Sequence, residues 1–98
     1  MQRDQAIAIL KANAGELRAR GVARLALFGS TLRGDARDDS DVDILVDLAP
    51  ESELSLIDFA DLRLRLSDLL GRNVDLVLRH KLKPYLREAI LAEARDVL

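Results

Sequence analysis

Two aspartates spaced two residues apart, Asp41 and Asp43, stand in a segment where acid is concentrated. Between Gly29 and Asp47 lie six of the chain's 17 acidic residues (Asp35, Asp38, Asp39, Asp41, Asp43 and Asp47), accompanied only by Arg33 and Arg37. The alternation of Val42, Ile44 and Val46 predicts a strand over Asp41 to Asp47, so Asp41 and Asp43 leave one face of it with α-carbons roughly 6–7 Å apart. Aspartate is disfavoured in strands, and two on one face repel each other. A bridging cation removes that penalty, and hard oxygen ligands suit Mg²⁺ or Mn²⁺. Asp75, flanked by Val74 and Leu76 in a second alternating segment, is a third carboxylate turned away from the apolar side. If the two strands are neighbours, the three carboxylates converge. They can then hold two metal ions about 3.5–4 Å apart, which polarises a phosphoryl group and activates an attacking oxygen together.

Each part alone has a plain reading: D-x-D is common in solvated turns, and exposed acid on an edge strand guards against unwanted pairing. The combination with Gly29-Ser30 points to chemistry. That pair ends a predicted strand ten residues before Asp41. Glycine there lets a phosphate approach the backbone closely, and serine adds its hydroxyl to exposed N–H donors. No G-K-[ST] occurs, so this is not a Walker loop.

These residues need elements to position them. Apolar Ala6, Ile7, Leu10, Ala14 and Leu17 predict a first helix over 4–20, with Gly15 a place where it can break. Val22 to Phe28 reads as a strand, followed by a polar segment forming a loop or short helix. Ser55 with Asp58 forms a capping-box pattern opening a helix to Leu70, stopped by Gly71. Its apolar stripe is Phe59, Leu62, Leu66, Leu69 and Leu70. Asn73 to Leu78 is the third strand, and Pro84 opens a last helix to about Val97. The alternation predicts a single α/β (α+β) domain over 1–98: a small sheet with helices on one face and the other face free for a site.

Composition narrows the function. With 49% hydrophobic and 33% charged residues the chain is of globular type. Its net charge of −2 and three aromatics (Phe28, Phe59, Tyr85) argue against extended nucleic-acid binding. The absence of cysteine excludes thiol catalysis and Cys-based zinc sites, and His80 stands alone. No apolar run reaches the roughly 18 residues of a membrane span and no signal-peptide core is present, so the expectation is cytoplasmic. A chain of 98 residues has little surface for several pockets, so the acceptor is expected to be brought by a partner.

Gly29-Ser30, ten intervening residues and Asp41-Val42-Asp43 together resemble the G-S-x10-D-x-D signature of the DNA polymerase β-like nucleotidyltransferase superfamily. Arg33-Gly34-Asp35-Ala36-Arg37 with Ser40, the segment Gly71 to Val77, and Leu82 to Arg87 resemble its minimal, MNT-type subgroup, and the resemblance covers nearly all of the chain from Leu25 onward. It implies a polymerase β-like fold with a mixed three-stranded sheet, in which the strand of Asp41 and Asp43 lies beside that of Asp75. It also implies ATP as donor with Mg²⁺, two ions, or Mn²⁺. Asp41 and Asp43 would ligate metal, and Asp75 would complete the site and help activate the incoming hydroxyl. Gly29 and Ser30 would grip the triphosphate, with Arg33 and Arg37 as further phosphate contacts unless they are simply solvated loop charge. MNT-type proteins often pair as antitoxins with a HEPN-domain ribonuclease toxin, attaching AMP to a tyrosine near its active site. Thr31-Leu32 departs from the pattern, since relatives often carry a further small or basic residue there, and this bears on nucleotide fit. Two alternatives stand beside this reading: a non-catalytic binding antitoxin or complex subunit, and a small-molecule, antibiotic-type nucleotidyltransferase, which would need a homo-oligomer to supply its acceptor pocket.

Overall fold

The structure, a computed structural model, describes all 98 residues. The predicted first helix is two helices, α1 (Arg3–Ala12) and α2 (Ala14–Ala19). The break falls at Asn13 rather than Gly15, where the backbone leaves the helical region (φ −108°, ψ 17°). There the Asn13 side-chain amide donates to the Ile9 carbonyl at 2.8 Å, the local competition with helical bonding that asparagine is suited to. Ala6, Leu10 and Leu17 are buried all the same, so two helices satisfy the apolar spacing that suggested one.

Strand β1 (Val22–Phe28) runs into the short helix α3 (Gly29–Arg33), which Gly34 ends with φ +83°. Strand β2 (Val42–Leu48) leads to helix α4 (Leu56–Leu70). The capping box at its start is complete: Asp58 N–H donates to Ser55 Oγ and Ser55 N–H to the Asp58 carboxylate, both at 3.1 Å. Gly71, left-handed at φ +66°, closes α4. Strand β3 (Val74–Leu78), a single 3₁₀ turn (Arg79–Lys81), helix α5 (Pro84–Glu93) and strand β4 (Arg95–Asp96) complete the chain.

The sheet order is β3-β2-β1-β4. β2 and β3 are parallel, joined across α4 as parallel neighbours require, while β1 pairs antiparallel with both β2 and β4. The mixed sheet is as expected, but it has a fourth strand. The last helix stops at Glu93 instead of running to Val97, because Ala94 turns extended and the free edge of β1 takes up Arg95 and Asp96. Val97, which would have ended the helix, is buried and donates its N–H to the Leu25 carbonyl at 2.8 Å.

One sheet face, with Leu25, Leu27, Val42, Ile44, Val46, Val74 and Leu76, packs on Ala6, Leu10, Leu17, Leu62, Leu66 and Leu70 from α1, α2 and α4. Period-2 alternation turns Asp43, Asp47 and Asp75 to the opposite face. Helix α5 contributes no buried residue, and Tyr85 at its start is 76% exposed. No helix is long and apolar enough to cross a membrane.

Candidate active site

Register brings the acidic residues together. In the parallel ladder Asp43 lies directly opposite Asp75, so the strand of the D-x-D motif does adjoin that of the third aspartate. Neighbouring strands are about 4.8 Å apart, and residues in register share a face, which puts the two carboxylates side by side. Two contacts fix the β3 end of this pair. Val42 N–H donates to the Asn73 carbonyl at 2.9 Å, and Val74 N–H donates to Ser67 Oγ at 3.1 Å. Asp41 stands one residue ahead of β2 rather than within it and is exposed. Here β1 has no residue left to pair, because it ends at Phe28 opposite Asp43. Asp41 therefore projects from the lip of the strand. As the side chains stand, no three acidic or histidine groups draw close enough to enclose an ion.

On the other flank of Asp43 the chain turns from β1 into α3 at Gly29. This glycine is buried, with φ +76°, a conformation side chains resist. A Cβ built there would fall on the Asp43 carboxylate, so only glycine lets the turn approach so closely. Ser30 follows, half-buried. The Gly29 N–H donates to Glu93 Oε1 at 2.6 Å, and Arg33 Nη1 donates to both Glu93 carboxylate oxygens at 3.0 and 3.2 Å. Arg33 Nε also reaches Asp35 at 3.3 Å.

Electrostatically the corner is overloaded with negative charge. Burial pushes the Asp43 carboxyl up from its ordinary 3.8 to about 6; Asp75 and Asp41 add to the rise, Arg33 opposes it and Glu93 adds to it. A partly desolvated carboxylate whose acidic neighbours outweigh the one guanidinium is a donor set that suits a hard divalent cation.

Residues 7–97 match the nucleotidyltransferase domain family. The chain belongs to that family. It is 48% identical over 86 residues to the protein adenylyltransferase MntA of Thermococcus cleftensis, covering 87% of this chain and 85% of that one. It is also similar, at 41% identity and a TM-score of 0.80, to a solved structure assigned as a minimal nucleotidyltransferase, with 97% of this chain and 95% of that one covered. A chain in the solved complex of the tri-AMPylated Shewanella oneidensis HEPN toxin with MNT antitoxin shares the fold, with a TM-score of 0.65 at 21% identity over 94% of this chain and 71% of that one. The MNT-type resemblance drawn from the motifs thus holds: this is a minimal nucleotidyltransferase of the polymerase β-like kind.

Within this nucleotidyltransferase the remaining residues sort by position. Thr31 and Leu32, where the chain departs from the motif, are both buried residues of α3, so the departure is met by packing and not at the open face. Asp47, on the same face as Asp43, lies four residues along and pairs with Arg79 at 2.9 Å, outside the acidic corner. Arg37 is exposed, its N–H donating to Ser40 Oγ at 2.9 Å in a local turn. His80 is exposed on the 3₁₀ turn. Glu93 is the residue that sequence reasoning misses. It is an ordinary acid in a helical run, and its reach to Gly29 exists only because α5 ends there and β4 then pairs along β1.

Proposed function

We propose that this nucleotidyltransferase is a protein adenylyltransferase that moves AMP from ATP to a hydroxyl, a tyrosine of a HEPN-type ribonuclease toxin, and so acts as that toxin's antitoxin. The observation that carries the reading is the register pairing of Asp43 with Asp75, with Gly29 packed against Asp43. The relatives support the acceptor class: one is a protein adenylyltransferase, and a chain from a complex containing a tri-AMPylated HEPN toxin shares the fold of this chain.

Asp41, Asp43 and Asp75 would hold Mg²⁺ or Mn²⁺. When bound, the ions neutralise the phosphate oxygens and lower the cost of charge developing at the α-phosphorus. The chain's own groups do the rest. The Gly29-Ser30 turn, its Gly29 N–H held by Glu93, brings the Ser30 hydroxyl to the triphosphate, and Arg33, whose Nη2 makes no hydrogen bond, adds positive charge at the rim. Asp75, exposed at the outer strand, takes the proton from the acceptor hydroxyl. The hydroxyl oxygen bonds to the α-phosphorus, the bond from that phosphorus to the bridging oxygen breaks, and pyrophosphate leaves. The docked partner holds its hydroxyl in line, a contribution that reaches several kcal/mol.

The test is co-expression with a HEPN-type partner encoded beside it, followed by intact mass spectrometry of the partner. Mass increments of AMP units, lost with the double substitution Asp41→Asn and Asp43→Asn, are expected. A partner that is neutralised yet carries no AMP overturns catalysis in favour of a binding-only antitoxin.

A further inference from the structure

The Gly29-Ser30 turn is held from outside by the last segment of the chain. Glu93, the final residue of α5, accepts from Gly29 N–H at 2.6 Å and from Arg33 Nη1 at 3.0 and 3.2 Å. Directly after it, Arg95 and Asp96 pair with Leu27 and Ala26 of β1, and Val97 N–H donates to the Leu25 carbonyl at 2.8 Å. The strand that delivers the turn is therefore clamped along its free edge, and the clamp ends on the turn itself. Gly29 is pinned on both sides, its Cα against the Asp43 carboxylate and its N–H on Glu93.

We propose that Glu93 is a positioning residue: by bonding Gly29 N–H and Arg33 it fixes the donor-binding turn relative to Asp43, so that nucleotide affinity depends on a residue that does not itself face the reacting atoms. The inference rests on the nucleotide-binding role given to Gly29 and Ser30 above. The bonds are charge-assisted, the class with the largest effect when one partner is removed. Glutamine keeps an oxygen acceptor for both donors; alanine keeps none.

The experiment measures Mg-ATP binding by calorimetry for the whole chain and for Glu93→Ala, Glu93→Gln and Asp96→Asn, each with its melting temperature. Asp96 pairs with Arg24 at 2.7 Å and Arg79 at 3.5 Å in the same clamp but does not touch the turn, so it reports general loosening of the C-terminal segment. Expected are a roughly tenfold weakening in Glu93→Ala, on the scale of one lost charge-assisted hydrogen bond, recovery to within about threefold in Glu93→Gln, and no change in Asp96→Asn. In transfer assays the Glu93→Ala change should raise KM for ATP and leave kcat within about threefold. If both Glu93 variants bind ATP as tightly as the parent, or tighter, the positioning role is wrong and the carboxylate merely competes with phosphate. Equal weakening in Asp96→Asn and Glu93→Ala also overturns it, in favour of general loosening. Failure of the unmodified chain to bind Mg-ATP at all would instead sink the nucleotide site on which the inference rests.

Discussion

Replacing Asp43 by Asn should make the metal-free protein more stable near neutral pH and inactive at every pH. The structure sets the size of the first effect. Burial, reinforced by Asp75 and Asp41, raises the Asp43 carboxyl from 3.8 to about 6. The folded state thus holds this proton more tightly than the unfolded chain does. Below about pH 4 Asp43 is largely protonated in both states and costs little stability; the cost grows as pH climbs towards 6 and reaches its full size above that. The gap between 3.8 and about 6 corresponds to about 3 kcal/mol. The side chain is only partly buried and solvent screens its neighbours, so about 1–1.5 kcal/mol is the effective figure. Asparagine keeps the shape and removes the charge. In a domain of this size, 1 kcal/mol moves the melting temperature by about 4–8 °C. Calorimetry in chelator should find Asp43→Asn melting roughly 5 °C above the parent at pH 7.5 and level with it at pH 4. Adding Mg²⁺ should then raise the parent and not the variant, closing the gap. A variant that melts no higher at pH 7.5, or keeps its advantage at pH 4, would show that repulsion at Asp43 is not what the carboxylate cluster costs.

Two further substitutions probe neighbouring positions. Asp75→Ala should slow transfer by at least about a hundredfold in single-turnover assays while changing ATP affinity little, since in the proposed site the donor would be held through Gly29, Ser30 and the other two carboxylates. Weakened binding with an unchanged rate would reverse the role assigned to Asp75. Thr31 is buried with its hydroxyl unpartnered, so Thr31→Val, which matches its shape, should stabilise the protein by about 1 kcal/mol, read as a higher denaturation midpoint at unchanged slope; a lower midpoint would reveal a hidden partner for the hydroxyl.

What could be read ahead of the structure was whatever depends on local rules. The capping box at Ser55 and Asp58, Pro84 at the start of α5 and Gly71 at the end of α4 are decided by a few adjacent residues, and they stand as expected. The alternation of Val42, Ile44 and Val46 likewise predicted which face Asp43 takes, because a strand half-buried on one side has no other register that hides all three. The fourth strand left no such trace. Two residues, Arg95 and Asp96, are too few to display a period, and both are polar because they lie on an exposed edge. Asn13 broke the first helix through a side-chain bond that apolar spacing does not encode. Glu93 was invisible for a stronger reason: its contact with Gly29 spans 64 residues and depends on where α5 stops.

The same reasoning explains why the acidic corner reads as a site and not as incidental surface. Parallel strands are normally covered on both faces and carry apolar side chains on each. This parallel pair obeys that rule at Ile44 with Leu76 and at Leu45 with Val77, then breaks it at the one adjacent rung, Asp43 with Asp75. A protective edge charge would account for Asp75 on the outer strand β3, but not for Asp43 on β2, which is paired on both sides. Beside that rung the backbone takes a positive φ at Gly29, where a Cβ would collide with the Asp43 carboxylate. A third acid, Glu93, then holds that turn in place at the cost of further repulsion. Three departures from what stability favours meet at Asp43, while the core a few ångströms behind it is regular. A penalty of about 1–1.5 kcal/mol is a sizeable share of the roughly 5–15 kcal/mol that holds a domain folded. On the proposed reading, a cation bound between Asp43 and Asp75 would reverse the sign of that repulsion, and the turn at Gly29 would present Ser30 to a phosphate chain.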